Sequence, residues 1–193
     1  MAEEYALWNS ADKSAALALS GGDLVATSTS AATQGVRGTQ GKASGQWYYE
    51  VTIGGAGGYV RIGLATAGAP LDTTGSVQYV YGDSDGNKEV SGSASAYGAS
   101  YTAGDVISVL WDADAGTITF WKNGSTQGTA FTSVSATLLP FFMSTNASGR
   151  AATANFGASA FVYTPPGGHT GWFEDAPGEY IEGGSGGAVG GGT

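Results

Sequence analysis

Two neighbouring stretches decide the fold: residues 104–112 read GDVISVLWD, and residues 117–122 read TITFWK. Apolar side chains recur at every second position of the first stretch and end at Trp111, which is the period of a half-buried strand. The second stretch runs into Asn123-Gly124, a pair that favours a type I′ turn. We therefore predict an antiparallel hairpin that places Trp111 in a core.

Similar short apolar or alternating runs occupy most of the chain. The 34 Gly residues suit many tight turns better than helices, and no window carries a helical apolar stripe. This pattern predicts an all-β protein, an antiparallel two-sheet β-sandwich. Further strands are expected over residues 15–20, 23–30, 46–53, 59–65, 77–81, 87–90, 138–145 and 150–156.

The composition changes after Pro165-Pro166-Gly167-Gly168. We predict a sandwich domain over residues 1–168 and an acidic, aromatic and Gly-rich tail over residues 169–193. The apolar residues of this tail favour an assembly element over a purely solvated end. For Trp172 and Phe173, docking on a partner and packing back on the sandwich both stay open.

Charge and composition restrict the partners. Lys and Arg number 7 against 16 Asp and Glu, for a net charge of −9, and the cations are scattered singly. Nucleic acid and anionic membranes, which attract clustered cations, are therefore excluded as main partners. The chain has no Cys, no apolar run of membrane-spanning length and no secretory signal at its start. We expect no membrane insertion.

No catalytic or cofactor site is predicted. Asp83-Ser84-Asp85-Gly86 begins like a calcium loop but lacks the distal Glu at its spacing, and an ordinary hairpin turn explains it better. His169 is the only His and lies at the domain edge, and Glu50 lies on the polar face of its strand. We expect a non-enzymatic protein without metal or cofactor.

Several motifs resemble those of one family, the SPRY domains. They are Trp8-Asn9, the run GQWYYEV over residues 45–51, GDVI over residues 104–107, Asn123-Gly124, and Asn155-Phe156-Gly157. The resemblance covers about residues 6–168. It implies a concanavalin-like jelly roll of two packed sheets whose loops form a binding surface. It implies no shared catalysis.

The abundance of Ala, Gly, Ser and Thr is similar to SPRY domains of bacteriophage structural proteins. That resemblance implies a virion component made in the host cytoplasm: a capsid decoration, fibre or tail protein that acts as an interaction module. Its partners would be other virion proteins, in a homo-oligomer or symmetric assembly. The alternative is a receptor- or glycan-binding module at a tail or fibre tip, with a host surface glycan or protein as partner.

Two groups of residues are the candidates for partner binding. Loops at residues 66–76, 83–88 and 123–128 lie between predicted strands and are rich in Gly, Asp, Asn and Thr, so we expect them near one another or along the margins of the sandwich. The candidate residues in these loops and in the tail are Asp72, Asp83, Asp85, Asn123, Trp172, Phe173, Tyr180 and Ile181.

Overall fold

A computed structural model describes residues 4–55, 59–73, 77–82 and 84–174. Within these ranges the regular elements are all β-strands, 17 of them. None of the described residues belongs to a helix that could span a membrane.

Two large sheets form the body of the protein. The first contains seven strands: β2 (Trp8–Lys13), β5 (Gln34–Gly38), β7 (Tyr59–Ala65), β8 (Gln78–Gly82), β9 (Asn87–Val90), β10 (Ser93–Ala96) and β14 (Leu139–Thr145). Their spatial order is β10-β9-β8-β7-β14-β5-β2.

The second sheet contains eight strands: β3 (Leu17–Ser20), β4 (Val25–Ser28), β6 (Gln46–Ile53), β11 (Val106–Asp112), β12 (Thr117–Lys122), β13 (Ser125–Phe131), β15 (Ala151–Asn155) and β16 (Thr170–Gly171). Seven of them follow the order β13-β12-β11-β6-β15-β4-β3, and β16 adds to β6 as a short parallel pair. A separate antiparallel pair joins β1 (Glu4–Tyr5) to β17 (Phe173–Glu174).

The predicted central hairpin is confirmed. β11 and β12 pair antiparallel with Trp111 opposite Ile118. Asn123 and Gly124, with φ of 49° and 76°, make the turn that leads into β13. Both values are positive, as a type I′ turn requires.

The hydrophobic core fills the space between the two sheets. The first sheet contributes Val36, Ile62 and Phe142, and the second contributes Tyr49 and Val109, all without exposed surface. Burial of these inner faces is the main favourable term that holds the sheets together. The prediction of an all-β, two-sheet sandwich is confirmed.

Strand β14 is central, as its apolar residues on both faces predict. It lies between β7 and β5 and is buried over residues 140–144. A proline within a strand favours an edge or a bulge, but Pro140 is accommodated without either, because the ladder with β5 begins only at Phe141. The missing N–H of proline therefore costs this ladder no hydrogen bond.

Strand β6 is buried on both faces, although Glu50 lies on the face that the sequence predicts to be polar. Residues 161–163 lie across that face, and the Phe161 ring packs edge-on against Tyr48 at 4.8 Å. Glu50, only 2% exposed, accepts hydrogen bonds from the backbone N–H groups of Val162 and Tyr163, each at 2.8 Å. The Tyr48 hydroxyl donates a third bond to Glu50, at 2.8 Å. A buried carboxylate thus anchors the covering segment, and burial raises the pKa of Tyr48.

We expect Glu50→Gln to lower the free energy of unfolding by about 2–3 kcal/mol, because the new amide group turns a donor toward donors that need an acceptor. Urea titration measures the change. The control is Glu4→Gln at an exposed position, which should stay within about 0.5 kcal/mol of the parent. Equal, small losses for the two variants would contradict the anchoring role of Glu50.

The end of the sandwich lies beyond the predicted boundary at residue 168. Strand β16 pairs with β6, and β17 pairs with β1. Trp172 is 0% exposed and belongs to the core, so the alternative of packing back on the sandwich holds for this residue. Phe173 is half-buried against Trp47 at 5.6 Å. The other tail candidates, Tyr180 and Ile181, lie outside the described residues.

Candidate functional site: a rim of loops

Strand order brings the loops after several even-numbered strands to one end of the sandwich. We call the described residues there the loop rim: residues 29–33, 84–86, 97–105, 123–124 and 145–149. The register fixes this arrangement, because Thr145 pairs with Tyr59 at the start of β7, while Val106 pairs with Thr52 near the end of β6. The rim is the part of the fold where loops from both sheets meet.

Backbone hydrogen bonds connect neighbouring loops around the rim. The Asn146 N–H donates to the Ala31 carbonyl at 2.9 Å, and the Gly98 N–H donates to Gly86 at 2.8 Å. On the second sheet, the Asn123 N–H donates to Val106 at 2.9 Å. Polar groups of one loop therefore hold the next.

Two buried side chains position the rim at residues 29–33 and 145–149. Gln34 donates from Nε2 to the Ser30 and Ala32 carbonyls, at 2.7 and 3.2 Å. Ser28 donates from Oγ to the Ala147 carbonyl at 3.1 Å. A buried amide and a buried hydroxyl thus fix loops whose outer residues are exposed.

A further loop, residues 66–73, starts at the opposite end and folds back over the outer face of the first sheet. We call it the folded-back loop. Its Leu71 carbonyl accepts a bond from Ser14 Oγ at 3.0 Å and lies over Gly35, where an added Cβ would come within 2.9 Å of it. Arg37, paired with Asp12 at 2.7 Å, donates to the Ala69 carbonyl.

The candidate residues from the sequence fall at three places. Asp72 is exposed in the folded-back loop, next to Leu71, whose carbonyl lies over Gly35 near the start of β5. Asp85 and Asn123 are exposed on the rim, in separate turns, and Asp83 lies outside the described residues. The buried Gln34 and Ser28 were missed, since a polar residue in a short strand carries no sequence signal of its role.

The side chains of the two predicted rim residues are already hydrogen-bonded, Asp85 inside its own turn and Asn123 to the segment that begins β11. Asp85 accepts the Asn87 N–H at 3.1 Å and the Asn87 side-chain amide at 2.8 Å. Asn123 donates to Asp105 at 2.7 Å and accepts from the Val106 N–H at 2.8 Å. Across the described ranges, no group of three or more His, Cys, Asp or Glu is arranged to hold a metal.

The tryptophans do not form an open platform for sugar stacking. Trp8, Trp47, Trp111 and Trp172 are buried, and only Trp121 is half-buried. Lys42 Nζ covers one face of Trp47, 3.7 Å from the ring centroid.

His169 is half-buried, and its Nδ1 has no hydrogen-bond partner among the described residues. Burial lowers the pKa of His169, which favours the neutral ring. Within the described part of the chain, this ring is not hydrogen-bonded to a hydroxyl as a Ser–His nucleophile would require.

A shallow depression of about 510 Å³ lies at the end of the sandwich opposite the rim. Its lining includes Trp111, Asp114, Gly116 and residues 133–137, mostly small side chains and backbone. Asp114 is exposed and accepts the Gly45 N–H at 2.9 Å. This depression is the alternative binding surface of the described residues.

Two packed antiparallel sheets with a rim of loops at one end define the class of this domain as a β-sandwich. The SPRY domain family model matches residues 46–159, and the chain belongs to this family. A solved SPRY domain, that of human HERC1, superposes with a TM-score of 0.67 at 21% identity and covers 76% of this chain and 96% of its own. The resemblance expected from the sequence motifs is thereby confirmed for the family and the fold.

Several curated relatives come from vertebrates. Ran-binding protein 9 of Xenopus laevis is 36% identical over 171 residues, which is 81% of this chain and 31% of that protein. Ran-binding protein 10 of Danio rerio is 34% identical over 127 residues, 63% of this chain and 21% of its own. The chain therefore spans about a third or less of the relatives it matches. SPRY domains are generally non-enzymatic modules for protein interaction.

Proposed function

We propose that this SPRY domain is a non-enzymatic adapter that binds a short segment of a partner protein. The segment lies where the folded-back loop meets the rim at residues 29–33 and 145–149. One observation carries this proposal: two rim loops with exposed residues are joined by the bond from the Asn146 N–H to the Ala31 carbonyl, and the Leu71 carbonyl of the folded-back loop lies over Gly35, at the start of the strand that follows the first of them. The exposed residues are Ala31, Ala32, Asp72, Thr73 and Asn146.

A preformed surface of this kind favours binding because little conformational freedom is lost when the partner arrives. Asn146 has a positive φ of 69° and is held by its N–H bond to Ala31. Thr33 and Thr145 share a hydroxyl hydrogen bond of 2.9 Å. Both loops thus already have fixed geometry, and exposed backbone and side-chain groups remain for recognition.

Selection from a displayed library of random peptides tests the proposal. We expect selected peptides to bind the purified protein, and Asp72→Arg to weaken them about tenfold, since the much longer side chain then occupies space that the peptide would fill. Isothermal titration gives the dissociation constants. Asp72 is exposed, so the melting temperature of the variant should stay unchanged.

The matched control is Asp114→Arg, which alters the depression at the opposite end of the sandwich. It should leave the affinity of the selected peptides unchanged. If it weakens them while Asp72→Arg does not, the depression is the binding surface and the rim proposal is wrong.

The sequence also predicts that this protein is a virion component, such as a capsid decoration, fibre or tail protein, and that it binds other virion proteins or further copies of itself. This role, and the alternative of binding a host glycan or receptor, stay predictions. The vertebrate relatives lend none of them support. Imaging the parent assembly with an antibody against this domain tests the virion location, and absence of label would contradict it.

A further inference from the structure

Four buried polar residues lie between the sheets directly beneath the rim at residues 29–33 and 145–149. We call Ser28, Gln34, Ser144 and Arg150 the inner polar cluster. All four are at most 2% exposed, although they share their faces with the apolar core. The register places them at one level, because Ser144 pairs with Gln34, while the Ser28 N–H donates to the Arg150 carbonyl at 2.8 Å.

The cluster divides into satisfied and unsatisfied members. The side chains of Gln34 and Ser28 are hydrogen-bonded to carbonyl groups of the rim loops. Arg150 Nε and Nη1 and Ser144 Oγ are buried and have no hydrogen-bond partner among the described residues. Arg150 also forms no ion pair within those ranges.

Arg150 keeps its buried positive charge, because a guanidinium does not lose its proton in proteins. An unpaired buried cation is costly, whereas one paired with an anion and hydrogen-bonded is tolerated. Arg37, a second buried arginine, lies in the first sheet and shows the normal arrangement. It pairs with Asp12 through Nε and Nη2, each at 2.7 Å. Among the described residues, no carboxylate pairs with Arg150 in this way.

We propose that Arg150 and Ser144 bind a carboxylate supplied by the partner segment, so that the segment carries an Asp, a Glu or a free C-terminus. This inference rests on the proposed function for the location of the partner. The single positive charge of the guanidinium neutralises the single negative charge of a carboxylate. It would neutralise only one of the two negative charges of a phosphate dianion. Gly149, the residue before Arg150 in the loop above the cluster, is exposed and has a positive φ of 77°, and apart from its chain neighbours no atom lies within 4 Å of where its Cβ would be.

Formate, the smallest carboxylate, probes the cluster without any peptide. We expect the melting temperature of the parent protein to rise by about 3–5 °C when formate is present at tenfold its dissociation constant, relative to chloride at equal ionic strength. Ser144→Ala should reduce this rise, and Arg150→Met should remove it. Phosphate should give a smaller rise than formate. An equal or larger rise would identify a phosphate site and contradict the proposal.

Selected peptides give the second readout. Replacing the acidic residue of a peptide by its amide should weaken binding to the parent about tenfold and leave binding to Arg150→Met unchanged. If Arg150→Met does not fold, Arg150→Lys keeps the charge and should retain part of the formate response. A parent protein without any formate response overturns the proposal. A formate response without rim-bound peptides would instead overturn the proposed function and leave the carboxylate site standing.

Discussion

A chain that ends at Gly168 should lose most of its stability, with a decrease in the free energy of unfolding of at least about 3–5 kcal/mol, the cost of removing one buried Trp. Trp172 packs on Trp47 and Tyr49, with ring centroids 6.2 and 5.6 Å away, and its indole N–H donates to the Gln40 carbonyl at 2.9 Å. Small domains have only about 5–15 kcal/mol in total, so the shortened chain should be partly or wholly unfolded. Circular dichroism during urea titration measures this loss.

The matched control ends at Glu174 and keeps every one of these contacts. It should unfold at nearly the same urea concentration as the parent. Trp172→Ala in the full chain separates the indole from the two short strands and should account for most of the loss. A chain ending at Gly168 with parental stability would show that residues 169–174 only decorate the sandwich.

The sequence predicts the strands well where their pattern is strong. In β11, alternation, a turn pair and aromatic residues all favour the same structure, and the observed strand matches it. Strand β10 (Ser93–Ala96), by contrast, contains only small exposed residues, so it has no apolar period to recognise. Its pairing with β9 comes from the tight turn between them rather than from side-chain burial.

The buried supports of the site could not be predicted in the same way. Burial of Glu50 depends on residues 161–163, which lie more than a hundred positions along the chain, and no local pattern joins them. Arg150 follows a turn-like run and has the sequence signature of a solvated residue. Only the three-dimensional register shows that it points between the sheets. Asp72, which lies in a loop with strong turn residues, was accessible to sequence reasoning.

Trp111→Ala should lower the free energy of unfolding by about 3–5 kcal/mol, as for other buried aromatic side chains. Trp111 is 1% exposed, stands opposite Trp47 in the ladder and donates its indole N–H to the Lys42 carbonyl at 3.2 Å. Its removal leaves a large cavity in the core beside β6 and β12, near the end of the sandwich opposite the rim, and the neighbouring strands are too rigid to fill it. Denaturant titration of this variant and of Trp121→Ala, the control described next, measures the two losses in the free energy of unfolding.

Trp121→Ala, on the adjacent strand β12, removes the same side chain from a half-buried position and is the matched control. The control should lose about 1–2 kcal/mol, because part of its indole surface is already in contact with water. The order of the two losses is the decisive result. Trp111→Ala with a loss below about 1 kcal/mol would mean that its indole contributes little to the core, and the aromatic side chain would then be free to serve a ligand in the depression that it lines.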